Sequence, residues 1–225
     1  MSLKKRYLLF ICGLFFMSLG ICLILKSSLG TSPISSIPYI LSLQYSLSLG
    51  EFTFIVNMVF LLIQILILQQ RFPYIQFLQI PMTIVFSCFI DFVMFLLSDF
   101  TPELYFMKIF TLTLGCFALA MGVALQMIGN VVMLAGEGLV YAFLTRWNLT
   151  LGRTKTFFDS SLVIIAATMS WFYFQEIRGI REGTLISALV VGMIARFYIS
   201  KISILDEHGR LIFSLSVHKK TKCIK

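Results

Sequence analysis

The chain has 225 residues, of which 59% are hydrophobic and only 12% charged, with 23 Phe and a mean hydropathy of +0.95. A soluble domain of this size needs about twice that share of charge to cover its surface. The composition therefore excludes a soluble enzyme, a disordered chain and a nucleic-acid binder, and leaves an all-α polytopic membrane protein.

The first element in chain order is an apolar run, Tyr7–Leu25, preceded by Lys4, Lys5 and Arg6. It is too long for a signal-peptide core and no small-x-small cleavage site follows it, so it reads as a transmembrane helix. Five further runs approach the roughly 20 apolar residues that cross a bilayer: Phe52–Leu68, Ile75–Leu97, Tyr105–Ile128, Thr156–Phe174 and Thr184–Ile199. Two intervening stretches are apolar but interrupted. Ser27–Gly50 carries Pro33 and Pro38, and Gly129–Gly152 carries Gly136, Glu137, Gly138 and Arg146. Neither suits a lipid-facing span, and both read as re-entrant half-helix segments.

The net charge of +8 is distributed unevenly. With the N-terminus inside, six crossings put 14 of the 18 Lys and Arg on the cytoplasmic side, among them Arg71, Arg146, Arg153, Lys155 and Arg196. The outer side then holds Lys26, Lys108, Arg178 and Arg181 with five acids. Basic flanks mark cytoplasmic ends, so both termini are expected in the cytoplasm. Full crossings by the two interrupted segments would move Arg71 outside, which fits less well.

A shift of 102 residues aligns the two halves without a gap. Gly13 falls on Gly115, Gly20 on Gly122, Tyr39 on Tyr141 and Gly50 on Gly152, with Asn57 on Asp159. Each half reads as helix, interrupted segment, helix, helix. Three crossings per half is odd, so the second half is upside down relative to the first. That is the inverted-repeat plan of many secondary transporters. The predicted units are residues 1–102, residues 103–203 and a basic tail, 204–225. Gly13 and Gly20, like Gly115 and Gly122, are seven apart and share a helix face, where small residues let helix backbones approach closely.

Chemistry is expected at the interrupted segments. Thr31 or Ser32 can cap a helix that starts at Pro33, with Ser35 and Ser36 in its first turn. The positive end of such a helix favours an anion or a polar oxygen. The matching segment carries Asn130 and Glu137. A carboxylate among apolar residues is expensive unless paired, protonated or hydrated, and is a candidate for proton coupling. Asp91 and Asp159 are the other acids inside apolar runs, and Asn57, Gln64 and Gln126 complete the polar set. Glutamines there are more often interhelical hydrogen-bond partners than ligands. The candidate substrate-binding set is Thr31, Ser32, Ser35, Ser36, Asn57, Asn130, Glu137 and Asp159. Both histidines lie in the tail, no CxxC or nucleotide-binding loop occurs, and no catalytic residue, metal or cofactor is expected.

The segment Lys26-Ser-Ser-Leu-Gly-Thr-Ser-Pro-Ile-Ser-Ser-Ile-Pro38, with Gly13 and Gly20 before it and Ser-Leu-Gly50 and Asn57 after it, resembles the YczE/YyaS-type bacterial membrane proteins and, more distantly, the YitT type. The resemblance covers most of residues 5–200. It implies a multi-pass bacterial plasma-membrane protein and supplies no substrate. The expected function is a small-solute transporter or permease-like protein, holding a small polar or anionic solute between the two repeats. The alternative is a non-transporting membrane accessory or regulatory protein. The expected partners are the lipid bilayer and such a solute, with no nucleic acid, and a homo-oligomer or a membrane partner stays open.

Overall fold

The computed structural model describes residues 3–205. The predicted tail from residue 206 lies outside the described residues. Among the described residues eight α-helices follow one another: α1 (Leu3–Lys26), α2 (Pro33–Gln44), α3 (Leu49–Leu68), α4 (Gln79–Leu96), α5 (Tyr105–Gly129), α6 (Ala135–Trp147), α7 (Leu151–Phe174) and α8 (Glu182–Leu205). Six of them, α1, α3, α4 with the turn before it, α5, α7 and α8, are long and apolar enough to cross a membrane. The two interrupted segments each contain one short helix, α2 and α6. Large apolar side chains such as Leu66, Phe95, Phe106, Phe172 and Leu189 lie exposed on the outside of the bundle. Such a surface fits a multi-pass membrane protein, whose solvent is hydrocarbon.

The helix ends follow from local chemistry. Ser48 and Glu51 form a reciprocal capping box that starts α3. Asn130, Asn148 and Gln175 adopt left-handed conformations that stop α5, α6 and α7. Helix α7 begins at Leu151, five residues before the predicted run, because the polar stretch Gly152–Lys155 is already helical.

The core of the bundle is the antiparallel pair α1 and α5. A Cβ at Gly13 would meet Gly122 O and Gln126 N, and one at Gly122 would meet Gly13 O and Met17 N. A Cβ at Gly20 would meet Leu119 N and Cα, and one at Gly115 would meet Ile24 N and Gly20 O. The predicted close approach is therefore present, and the four glycines face each other across it. Around this pair, α4 packs on α1 and α8 packs on α5. Helix α6 packs on α3 and α2 on α7, while α2 also packs on α3 and α6 on α7.

Hydrogen bonds sort the helix ends into two sets. Arg6 Nε donates to Gly129 O at 3.0 Å, so the start of α1 lies beside the end of α5. Lys26 Nζ donates to Ser98 O at 3.0 Å, which puts the end of α4 at the other end of the bundle. Tyr45 and Tyr173 hydroxyls meet at 3.3 Å, and Gly183 N donates to Leu29 O at 2.8 Å. These contacts bring the end of α7 and the start of α8 to the Lys26 end. The basic residues Lys4, Lys5, Arg6, Arg146, Arg153, Lys155 and Arg196 thus gather toward the Arg6 end.

Candidate functional site

The turn before α2 is built of hydroxyls. Thr31 Oγ1 and Ser36 Oγ lie 2.9 Å apart, and Ser32 Oγ and Ser35 Oγ lie 2.6 Å apart. Ser35 and Ser36 also donate to the Ser32 carbonyl at 3.1 and 2.9 Å. All four side chains are buried. Ser32 occupies the capping position, but its hydroxyl pairs with Ser35 and caps no backbone N–H. Pro33 has no N–H, and the Ser35 N–H is taken by the Ser32 carbonyl. The turn is held from outside by α8, where Thr184 Oγ1 accepts from Thr31 N at 3.1 Å and Ser187 Oγ lies 3.5 Å from Thr31 O.

The start of α6 is different. Leu134 stands at its capping position and offers no side-chain bond. The N–H groups of a helix's first turn have no partner within the helix, and here they carry the positive end of the dipole toward Glu137. Glu137 is half-buried, and Gln126 Nε2 of α5 approaches its Oε2 at 3.4 Å. Gln126 Oε1 is buried without a hydrogen-bond partner among the described residues. On α7, Lys155 and Asp159 form an ion pair with each other at 3.0 Å.

The two short helices meet at their N-terminal turns. A Cβ at Gly136 would run into the end of the Ile34 side chain, with Phe60 behind it. Ile34 and Gly136 are 102 residues apart, so each half contributes the same position to this contact. Phe60 and Phe158 cross edge to face at 5.6 Å and, with Val56 and Leu162, close the region below. The structure thus juxtaposes the Thr31–Ser36 turn and the first turn of α6 across an apolar contact.

The remaining candidates are Asn57, Asp159 and Asn130. Asn57 is buried on α3, and its Nδ2 donates to Thr53 O of its own helix at 2.7 Å. Asp159 is half-buried on α7 and pairs with Lys155 one turn earlier. Asn130 is exposed at the end of α5, away from the hydroxyl turn, and its carbonyl accepts from the Arg6 guanidinium.

Three polar contributors carry weak sequence signals. Gln64 Nε2 donates to Ala135 O at 2.8 Å, which ties α3 to the first residue of α6. Gln79, fully buried, reaches Gln64 Oε1 at 3.3 Å and so brings α4 into the same cluster. Asp91 accepts from Ser48 Oγ at 2.7 Å and from Gly50 N at 2.8 Å, sealing the start of α3 from α4. An isolated acid in an apolar run signals that a partner exists, but the partner lies some forty residues away. Beside Asp91 lies an open cleft of about 580 Å³, lined by Tyr39, Ser42, Leu47, Glu51 and Met94.

A family profile described as a family of unknown function, DUF6198, matches residues 4–200, and the chain belongs to that family. No curated protein and no solved structure matches it.

Proposed function

We propose that this member of an uncharacterised membrane family is a small-solute transporter or permease-like protein built as an inverted repeat. A small polar or anionic solute would be held where the first turns of α2 and α6 meet. The carrying observation is the contact of Ile34 with Gly136, positions that the 102-residue shift makes equivalent. The antiparallel α1–α5 pair supports the repeat, since exchange of the two halves carries the Gly13–Gly122 contact onto the Gly115–Gly20 contact. Broken helices whose N-termini converge near the midplane are a recurrent way to hold a solute in transporters.

In this reading Ser32, Ser35, Ser36 and Thr31 exchange their mutual hydrogen bonds for bonds to the solute. The α6 first turn supplies backbone donors, and Glu137 exchanges a proton, with the Gln126 amide beside it and the Lys155–Asp159 pair tuning it. Basic residues mark cytoplasmic ends, so the Arg6 end faces the cytoplasm. The resemblance to YczE/YyaS-type proteins supports placing it in a bacterial plasma membrane.

The test is uptake of a metabolite panel into proteoliposomes, together with thermal stabilisation by each solute. The reading expects at least one solute to score in both, and Glu137→Gln to abolish accumulation while leaving the protein folded. Uptake of nothing, with a silent Glu137→Gln, refutes it and favours a non-transporting accessory role.

A further inference from the structure

Among the described residues, the main helix contacts of one half have counterparts in the other, except at one place. Helices α3 and α4 are joined through residues 69–78 at the Arg6 end and are packed together along their length. At their far end the pair is latched. Gly50 of α3 lies against Ser87 and Asp91 of α4, and Asp91 accepts from both Ser48 Oγ and Gly50 N. Helices α7 and α8 are the corresponding pair. They are joined through residues 175–181 at the Lys26 end, but among the described residues they are not packed together.

Gly152 corresponds to Gly50, and nothing lies within 4 Å of a Cβ placed there. On α8, Leu189 and Met193 are 70% and 60% exposed, whereas Ser87 of α4 is 7% exposed. The same V of two helices is closed in one half and splayed in the other. Because the halves are inverted, the closed mouth is at the Lys26 end and the splayed mouth is at the Arg6 end.

We infer that Asp91 is the latch of an alternating gate: closure of α3 on α4 at the Lys26 end and closure of α7 on α8 at the Arg6 end are mutually exclusive. The structure is then the state open at the Arg6 end. In the opposite state α8 closes over Gly152 and α4 swings off Gly50. Such exchange of conformation between inverted halves is the physical basis of alternating access. The inference rests on the inverted-repeat transport reading but addresses the gate and not the solute. The two closures also differ in chemistry. The α3–α4 latch is made of hydrogen bonds to a carboxylate, and the α7–α8 closure would be made of Leu189 and Met193 against a glycine. Releasing the Asp91 bonds therefore shifts the population toward the state closed at the Arg6 end.

The experiment uses full-length protein in liposomes, with the native cysteines replaced and one reporter cysteine at a time. Gly152→Cys reports the Arg6 end and Ser87→Cys reports the latch. Site-resolved labelling with a water-soluble maleimide is measured with and without Asp91→Ala. The inference expects Asp91→Ala to slow labelling at the Gly152 position at least threefold and to speed labelling at the Ser87 position at least threefold. Asp91→Asn, which keeps an acceptor for Gly50 N–H, is expected to give a smaller reciprocal shift. It serves as the test variant should the alanine variant misfold. A rise at both positions, or no change at either, overturns the gate. Solute uptake by the unsubstituted protein with unmoved labelling overturns the gate and leaves the transport reading standing. Reciprocal labelling without uptake keeps the gate and removes the transport reading.

Discussion

The contact between α1 and α5 gives a sharp stability prediction at Gly20. A methyl group there would sit 2.6 Å from the Cα of Leu119, with the Leu119 backbone nitrogen closer still. Carbon atoms in contact prefer about 3.5–4.0 Å. Relief therefore requires the two helices to part by about 1 Å. A gap of that size forfeits roughly a quarter to a half of the attraction at neighbouring contacts, which here include Gly13–Gly122 and Gly115–Ile24. Overpacking of this kind costs about 1–3 kcal/mol. For a protein of this length that is a fall in Tm of roughly 2–12 °C. Gly20→Ala is measured beside Gly192→Ala, because a Cβ at Gly192 meets nothing within 4 Å. The latter replaces a helix-interior glycine in open space and is expected to stabilise by about 0.5–1 kcal/mol. The assay is thermal unfolding of detergent-solubilised protein followed by tryptophan fluorescence. The obstructing atoms belong to the Leu119 backbone, so adding Leu119→Ala to Gly20→Ala is expected to rescue nothing. Equal Tm values for Gly20→Ala and the unsubstituted protein, or rescue by Leu119→Ala, would refute the proposed seam.

Three further outcomes follow from single contacts. Gly30 has φ +141° and its Cβ would lie 2.5 Å from Thr184 Oγ1, so Gly30→Ala is expected to cost at least about 2 kcal/mol in the same melt. Gln64→Leu keeps the volume but removes the donor to Ala135 O and to the buried Gln79 Oε1, while Gln79 Nε2 keeps Gln76 Oε1 as its acceptor. A loss of about 1–2 kcal/mol is expected, and a neutral result would mean that the Ala135 and Gln79 oxygens find other donors. Arg6→Gln removes a charged donor from the last carbonyls of α5, with an expected loss of about 0.5–2 kcal/mol that Arg6→Lys restores in part.

The six spans and two interrupted segments were legible because apolar length and punctuation are local properties. The glycine seam was legible because Gly13, Gly20, Gly115 and Gly122 share a seven-residue spacing that only close backbone approach explains. The contact of Ile34 with Gly136 joins two positions that the 102-residue shift pairs. What the sequence hid was pairing. Thr31, Ser32, Ser35 and Ser36 look like free donors in a string, yet in three dimensions they satisfy each other. Asn57 looks like a ligand and instead bonds back to Thr53 one turn earlier, a habit of short polar side chains in helices. Asp91 looked isolated because Ser48 and Gly50 lie far away in the chain. Asn130 sits at a helix end, where its left-handed conformation is its contribution.

The differences between the halves bear on mechanism more than their similarities do. The α2 turn is hydroxyl-rich and internally satisfied, and its first helical residue is a proline that brings no N–H. The α6 turn has no side-chain cap, carries a carboxylate, and leaves Gln126 Oε1 buried and unpaired. An unpaired buried acceptor costs about 1–3 kcal/mol, which a donor arriving at the α6 turn would recover. The hydroxyls of the α2 turn can only trade one set of bonds for another. Binding at the contact should therefore depend steeply on the α6 side and weakly on the α2 side. Gln126→Leu would remove the orphan acceptor together with the amide beside Glu137, changing stability and weakening solute binding. Ser35→Ala would change both only slightly. Thermal shifts of the two variants, with and without a solute that scores in the uptake panel, decide the matter. A Ser35→Ala effect equal to that of Gln126→Leu would show that the two turns share the site evenly.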